Sequence, residues 1–230
     1  MRVADGVHQV DGIRLGSAYL VESDGGIVVV DSGVPGSAGH VLRALAALGR
    51  RPEDVRVVVL THWHPDHAGG AAELRRRTGA QVAVHRLDGP PTAGGPLPPK
   101  GRRAMRLVRA VMRYEPVAAD RLLEDGDEVL GLRVVHAPGH TAGSIALWRG
   151  DLVFSGDALL LDRAGRVGPS DAQLCLDPAQ AATSADRILA LRPRLVLSGH
   201  GRPFPAADGP RHAGGGRDPG EPANLPETED

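Results

Sequence analysis

Thr61-His62-Trp63-His64-Pro65-Asp66-His67-Ala68-Gly69-Gly70 directly follows the apolar run Val55-Arg56-Val57-Val58-Val59-Leu60. Such a β-branched run bounded by turn residues reads as a buried strand, so the histidines lie in the loop it feeds. Four residues able to bind a metal, His62, His64, Asp66 and His67, fall within six positions. Neutral imidazoles and a carboxylate suit zinc, and also iron or manganese. His62 and His64, two apart, can point to one metal while Asp66 and His67 turn toward a second. Gly69 and Gly70 permit a tight turn into a short helix over 71–77.

Working outward, three further apolar runs end in a possible ligand. His140 lies in Ala137-Pro138-Gly139-His140-Thr141-Ala142-Gly143-Ser144, Asp157 in Phe154-Ser155-Gly156-Asp157-Ala158, and His200 in Leu197-Ser198-Gly199-His200-Gly201. The His-x-His-x-Asp-His loop, followed in order by these three segments, resembles the metallo-beta-lactamase superfamily. The resemblance implies an α+β fold, a four-layer αβ/βα sandwich of two mixed sheets flanked by helices, with metals at one edge. It implies that His62, His64 and His140 hold one metal, that Asp66, His67 and His200 hold the other, and that Asp157 bridges them. Two zinc ions are the expected cofactor, with iron or manganese as alternatives. It also implies that Asp31, in Asp31-Ser32-Gly33 at a strand end, orients ligand histidines from below.

Composition narrows the function. The 230 residues are 41% hydrophobic, enough for one substantial core. A net charge of -1 offers no field to hold a polyanion, so no nucleic-acid partner is expected. The single cysteine, Cys175, excludes an internal disulfide framework. Met1 to Gly6 lacks the apolar centre of a signal peptide, and no stretch approaches about 20 apolar residues, so no membrane span is expected and the cytoplasm is the default location.

In chain order, residues 17–22 and 26–30 read as a hairpin, and 38–48 as an amphipathic helix stopped by Gly49. A strand over 80–85 ends in His85, which reads as structural or pocket-lining. Residues 88–99 hold five prolines and three glycines, a loop without regular structure. Between 100 and 113 six basic residues and no acidic one accompany an apolar helical face of Ala104, Met105, Val108, Val111 and Met112. In the superfamily this place commonly carries a lid, which gives an expected lid insertion at 88–116. Trp63, Met105, Val108 and Met112 would then line the substrate pocket. Ordinary packing of the helix, or docking on a membrane surface or partner, are the other readings.

Strands are expected over 121–124, 128–135, 144–148, 151–155 and 195–197, with His136 a core residue or a support behind a ligand, and Asp177-Pro178 starting a helix that continues over 181–191. Residues 1–205 form the expected domain. The stretch 206–230, with five glycines, four prolines and Leu225 as its one large apolar residue, is an expected disordered tail that includes His212.

By resemblance, a hydroxide bridging the metals attacks the carbonyl of a small ester, thioester or lactone, and Asp66 orients it. Type II glyoxalases are similar through the Thr-His-x-His-x-Asp-His-x-Gly-Gly loop, but they append a helical domain where only thirty residues follow His200. The acyl-homoserine lactone lactonases place Tyr three residues past the bridging aspartate, where this chain has Leu160. True beta-lactamases usually carry Cys or Ser at the Asp157 position, which makes beta-lactam hydrolysis a weaker alternative. A mononuclear-iron persulfide dioxygenase is the other alternative. The sequence leaves the oligomeric state open.

Overall fold

The computed structural model describes residues 1–89, 96, 102–162 and 165–206. Seven strands form the first sheet in chain order: β1 (Arg2–Ala4), β2 (Val7–Gln9), β3 (Tyr19–Ser23), β4 (Gly26–Val30), β5 (Val55–Leu60), β6 (Gln81–His85) and β7 (Arg121–Leu123). Pairing is antiparallel as far as β4 and parallel from β4 to β7, so the sheet is mixed. The second sheet starts with β8 (Glu128–Val129), β9 (Leu132–His136), β10 (Ile145–Arg149) and β11 (Leu152–Gly156). A separate small hairpin, β12 (Leu160–Leu161) with β13 (Val167–Gly168), precedes its last two strands, β14 (Leu195–Ser198) and β15 (Phe204–Pro205). Only β11 and β14 pair in parallel in this sheet.

Strand alternation places the core. Side chains one apart point to opposite faces. Val28 and Val30 of β4 and Val57 and Val59 of β5 therefore meet Leu132, Val134, Leu147 and Phe154 of the second sheet in a dry layer between the sheets. Ile27, Val29, Val58 and Leu60 face the other way, into Val41 and Leu45 of helix α1 (Ala38–Ala47). On the far side, Val135, Val153 and Val196 meet Ala185 and Ile188 of a helix over Pro178–Ala190. Three apolar interfaces thus separate four layers, helix, sheet, sheet and helix, the α+β sandwich expected from the sequence.

Local chemistry explains most boundaries. Between β5 and β6 lie α2 (Pro65–Ala68), opened by proline, and α3 (Ala71–Thr78), ended by Gly79 in the left-handed region at φ 73°. The next helix, α4, spans Arg102–Val111, and α5 is the Pro178–Ala190 helix, whose cap Asp177 accepts hydrogen bonds from the Ala179 and Gln180 N–H groups at 3.0 Å. One expectation is corrected. The run 128–135 is not one strand, because Leu130 and Gly131, at φ 48° and 84°, turn it into the β8–β9 hairpin. The small β12–β13 hairpin and α2 were not foreseen. The residues from 207 onward, including His212, lie outside the described residues. Among the described residues no helix is long and apolar enough to cross a membrane.

His85 and His136 tie the two halves together. Their rings stack 4.1 Å apart and 12° from parallel, with His85 buried at the end of β6 and His136 at the end of β9. Burial, with the nearby His136 and Arg86, pushes the His85 pKa down to about 4 from 6.5. The unfolded chain then binds the extra proton first, so this residue's contribution is intact above about pH 6.5 and is lost as pH falls toward 4. Urea denaturation of metal-free protein should show wild type losing stability relative to His85→Gln across that window and keeping a constant difference above it.

Candidate metal centre

Every candidate ligand sits just past the C-terminal end of a strand. β5 delivers His62, His64, Asp66 and His67, β9 leads to His140, β11 to Asp157 and β14 to His200. Because the strand ends of both sheets gather at one edge, the structure brings all seven together. Three overlapping groups result: His62, His64 and His140; His62, His67 and Asp157; and Asp66, His67 and His200, the ligand atoms of each lying within 4.8 Å of one another.

In the first group His64 Nδ1 lies 3.0 Å from His62 Nε2 and 2.9 Å from His140 Nε2. In the last group His200 Nε2 is 3.5 Å from Asp66 Oδ2, and His67 Nε2 is 3.9 Å from the same oxygen. Asp157 stands between the groups. Its Oδ1 is 3.3 Å from both His67 Nε2 and His200 Nε2, and its Oδ2 is 3.4 Å from His140 Nε2. Metal–nitrogen bonds of about 2.0–2.1 Å in a tetrahedron imply ligand atoms about 3.3 Å apart, close to these spacings. His67 Nε2 and Asp157 Oδ1 are also buried without a hydrogen-bond partner, an arrangement that is costly unless a cation satisfies them. Both observations fit a metal.

The ligand loop is fixed from beneath by Asp31, which is 2% exposed and lies just beyond β4. Its carboxylate accepts hydrogen bonds from the Thr61 N–H at 2.7 Å, the Thr61 hydroxyl at 2.8 Å and His67 Nδ1 at 2.8 Å. A carboxylate only accepts, so His67 carries its proton on Nδ1 and turns Nε2 inward. Thr61 has spent its proton on Asp31 and therefore accepts from His62 Nδ1 at 3.2 Å, which turns His62 Nε2 inward too. One aspartate orients two imidazoles.

The electrostatics are those of a site short of positive charge. Burial disfavours a charged His67, yet the carboxylates of Asp157, Asp31 and Asp66 outweigh it and hold its pKa well above the ordinary value. Burial also works against the Asp157 carboxylate, which the facing His67 and His200 nevertheless keep well below the usual range. His62 shows the opposite outcome: burial, then His67, His64 and His140, drive its pKa well down, which leaves a neutral ligand. His140 is lowered as well, by burial above all.

Five of the seven residues are at most 8% exposed, whereas the Asp66 and His200 side chains are 25% and 39% exposed. The centre therefore opens on the Asp66 and His200 side. Trp63, expected on the pocket wall, is 2% exposed and packs edge-on to the His64 ring, with its carbonyl accepting from the Tyr114 hydroxyl at 2.9 Å. Met112 is half-buried, and the side chains of Met105 and Val108 lie outside the described residues. On the same helix Leu107 and Val111 are exposed. His85 and His136 belong to none of the three groups.

Among the described residues, Cys175, Ser155 and Ser144 are not set up as alternative nucleophiles. Burial pushes the Cys175 thiol up to about 11, and its Sγ donates to the Ser170 carbonyl at 3.5 Å. Ser155 donates to the Leu159 carbonyl, and Ser144 shares a hydrogen bond with Thr141. Two contacts were not readable in advance: the buried Tyr19 hydroxyl donates to the Ser198 carbonyl at 2.7 Å, bracing the His200 loop, and Asp88 reaches two ligand loops. Neither carries a sequence signal beyond a strand tyrosine and a turn aspartate.

The family model described as the metallo-beta-lactamase superfamily matches residues 11–200, and the chain belongs to that superfamily. Hydroxyacylglutathione hydrolase of Albidiferax ferrireducens is 36% identical over 180 residues, covering 75% of this chain and 56% of its own length. The chain thus spans about half the length of such curated relatives. The Bacillus subtilis protein named "Probable metallo-hydrolase YflN" is 25% identical over 229 residues, with 87% and 86% coverage. Among solved structures, TTHA1623 in a di-iron-bound form is 32% identical at a TM-score of 0.66, covering 85% of this chain and 92% of that one.

Removing the Asp31 carboxylate should be costly, since it leaves Thr61 and His67 donors buried without an acceptor. Asp31→Ala is expected to lower stability by about 3–5 kcal/mol, the scale for breaking a buried charged pair, as read by chemical denaturation. Metal uptake should release protons near neutral pH, because it must displace the one His67 retains; isothermal calorimetry in buffers of different ionisation enthalpy measures this.

Proposed function

We propose that this chain is a metal-dependent hydrolase that opens a small thioester, ester or lactone at a two-metal centre. The observation that carries the proposal is the position of Asp157, one oxygen facing His67 and His200 and the other facing His140. In this reading His62, His64 and His140 would hold one metal and Asp66, His67 and His200 the other, with Asp157 available to both. When bound, the metals supply Lewis acidity toward a carbonyl oxygen and a water acidified to a pKa of about 7.

The chain's own residues do the rest. Asp66, partly exposed at the mouth, is placed to accept a hydrogen bond from a water there and to orient it toward the acyl carbon. Asp31 and Thr61 hold the imidazoles so that Nε2 of both His62 and His67 points inward. The carbon–sulfur or carbon–oxygen acyl bond breaks, the departing atom takes a proton, and the acid product carries the added oxygen. The thioester comes first among the substrates because relatives covering 75% of this chain bear the name hydroxyacylglutathione hydrolase. The lid reading of α4 belongs to the same proposal: Leu107 and Val111 face solvent, as they would on a helix that closes over substrate.

Protein purified without added metal or chelator should carry about two metal ions per chain by elemental analysis, zinc or iron, and should turn over at least one member of a panel of thioesters, lactones and esters. A beta-lactam belongs in the panel as the competing substrate. One iron per chain, oxygen uptake with a persulfide and no hydrolysis would replace this proposal with a mononuclear-iron oxygenase. Asp157→Ala should lose bound metal and lower kcat/KM by more than the ~10- to 100-fold that outer partners of a metal site carry. Exchanging residues 97–111 for a glycine-serine linker, which keeps Asp88 and Tyr114, should change the ranking of substrates while metal content stays at the wild-type value.

A further inference from the structure

The two loops that carry the three-histidine group are joined by a residue outside every ligand motif. Asp88, 6% exposed, lies three residues beyond the end of β6. Its Oδ2 accepts from the Trp63 N–H at 3.2 Å and from the Thr141 hydroxyl at 2.7 Å, and its Oδ1 accepts from the Gly143 N–H at 2.7 Å. Trp63 separates His62 from His64, and Thr141 follows His140. A single carboxylate therefore grips both loops whose imidazoles meet 2.9 Å apart.

The surroundings are built for this contact. Because Thr141 gives its proton to Asp88, its oxygen accepts from the Ser144 hydroxyl 2.7 Å away, and Ser144 Oγ accepts the Thr141 N–H at 3.0 Å. Every polar hydrogen in the chain has one direction. A Cβ at residue 143 would stand 2.5 Å from the Asp88 nitrogen and 2.7 Å from its Cβ and Cγ, so only glycine admits this approach. A buried carboxylate is unfavourable unless donors surround it, and here three do.

We propose that Asp88 is a positioning residue that sets the separation of His64 and His140 and thereby the metal affinity of the three-histidine group. The proposal rests on the reading of His62, His64 and His140 as a metal site. Its donors flank His62, His64 and His140, whereas His67 is held from the other side by Asp31, so the group formed by Asp66, His67 and His200 should be spared.

The test is cobalt titration of metal-free protein, followed by visible absorption and by competition with a chromophoric chelator. Two uptake steps are expected in wild type, assigned by the step that His64→Ala removes and the step that His200→Ala removes. Asp88→Ala should weaken the His64 step by about 10- to 100-fold and shift its absorption band, leaving the His200 step within about twofold. Thr141→Val, near-isosteric, should weaken the His64 step less, and Thr141→Ser should restore it; these variants decide the matter if Asp88→Ala does not fold. A wild-type isotherm with no step sensitive to His64 would sink the metal-site reading and the proposal together. An intact wild-type step that Asp88→Ala and Thr141→Val leave unchanged, or an equal loss at both steps, would overturn the proposal alone.

Discussion

A carboxylate with three donors and almost no exposure underlies the whole edge of this molecule. Asp31 follows β4, accepts from both the backbone and the hydroxyl of Thr61 just past β5, and meets His67 further along the same loop. Its backbone sits at φ 58°, a left-handed conformation that aspartate tolerates better than most residues. The start of the ligand loop and the tautomers of two histidines depend on that one side chain. Charge-assisted hydrogen bonds of this kind are roughly twice as strong as neutral ones and are shorter, as these are.

The scaffold around it is conventional, and that is what makes the edge unusual. Three apolar layers absorb nearly all the alternating strand side chains, so the interior has little polar demand away from the ligand edge. At that edge seven imidazole and carboxylate groups form three overlapping groups, the ligand atoms of each within 4.8 Å of one another. Burying them is unfavourable in isolation. The opposed pKa directions of His62 and His67 show how the strain is divided: the imidazole among other imidazoles stays neutral, and the one among carboxylates holds a proton.

Much of this was legible in the residues because metal chemistry admits few side chains and strand ends are well marked. The valine run of β5 and the glycines flanking His140, Asp157 and His200 declared both the strands and their termini. Asp31 was legible only through family resemblance, since an aspartate after a strand is otherwise a turn residue. Asp88 was not legible: it opens a proline- and glycine-rich loop, and its donors lie 25, 53 and 55 positions away, two of them backbone N–H groups with no sequence identity at all. The β8–β9 turn escaped notice because Leu130-Gly131 lacks the Asn-Gly or Asp-Gly signature of such turns. The layering followed from the resemblance; long-range polar contacts did not.

The ligands are shared unequally between the two sheets. The first contributes His62, His64, Asp66 and His67 through β5, and the second contributes His140, Asp157 and His200. Neither set contains a complete group of the three-histidine kind. The centre therefore reports on tertiary assembly: a hairpin or a strand with its loop can form locally within microseconds, but no local event can close this site. It appears only when two distant parts of the chain dock, which makes occupancy of the centre a gauge of folding order.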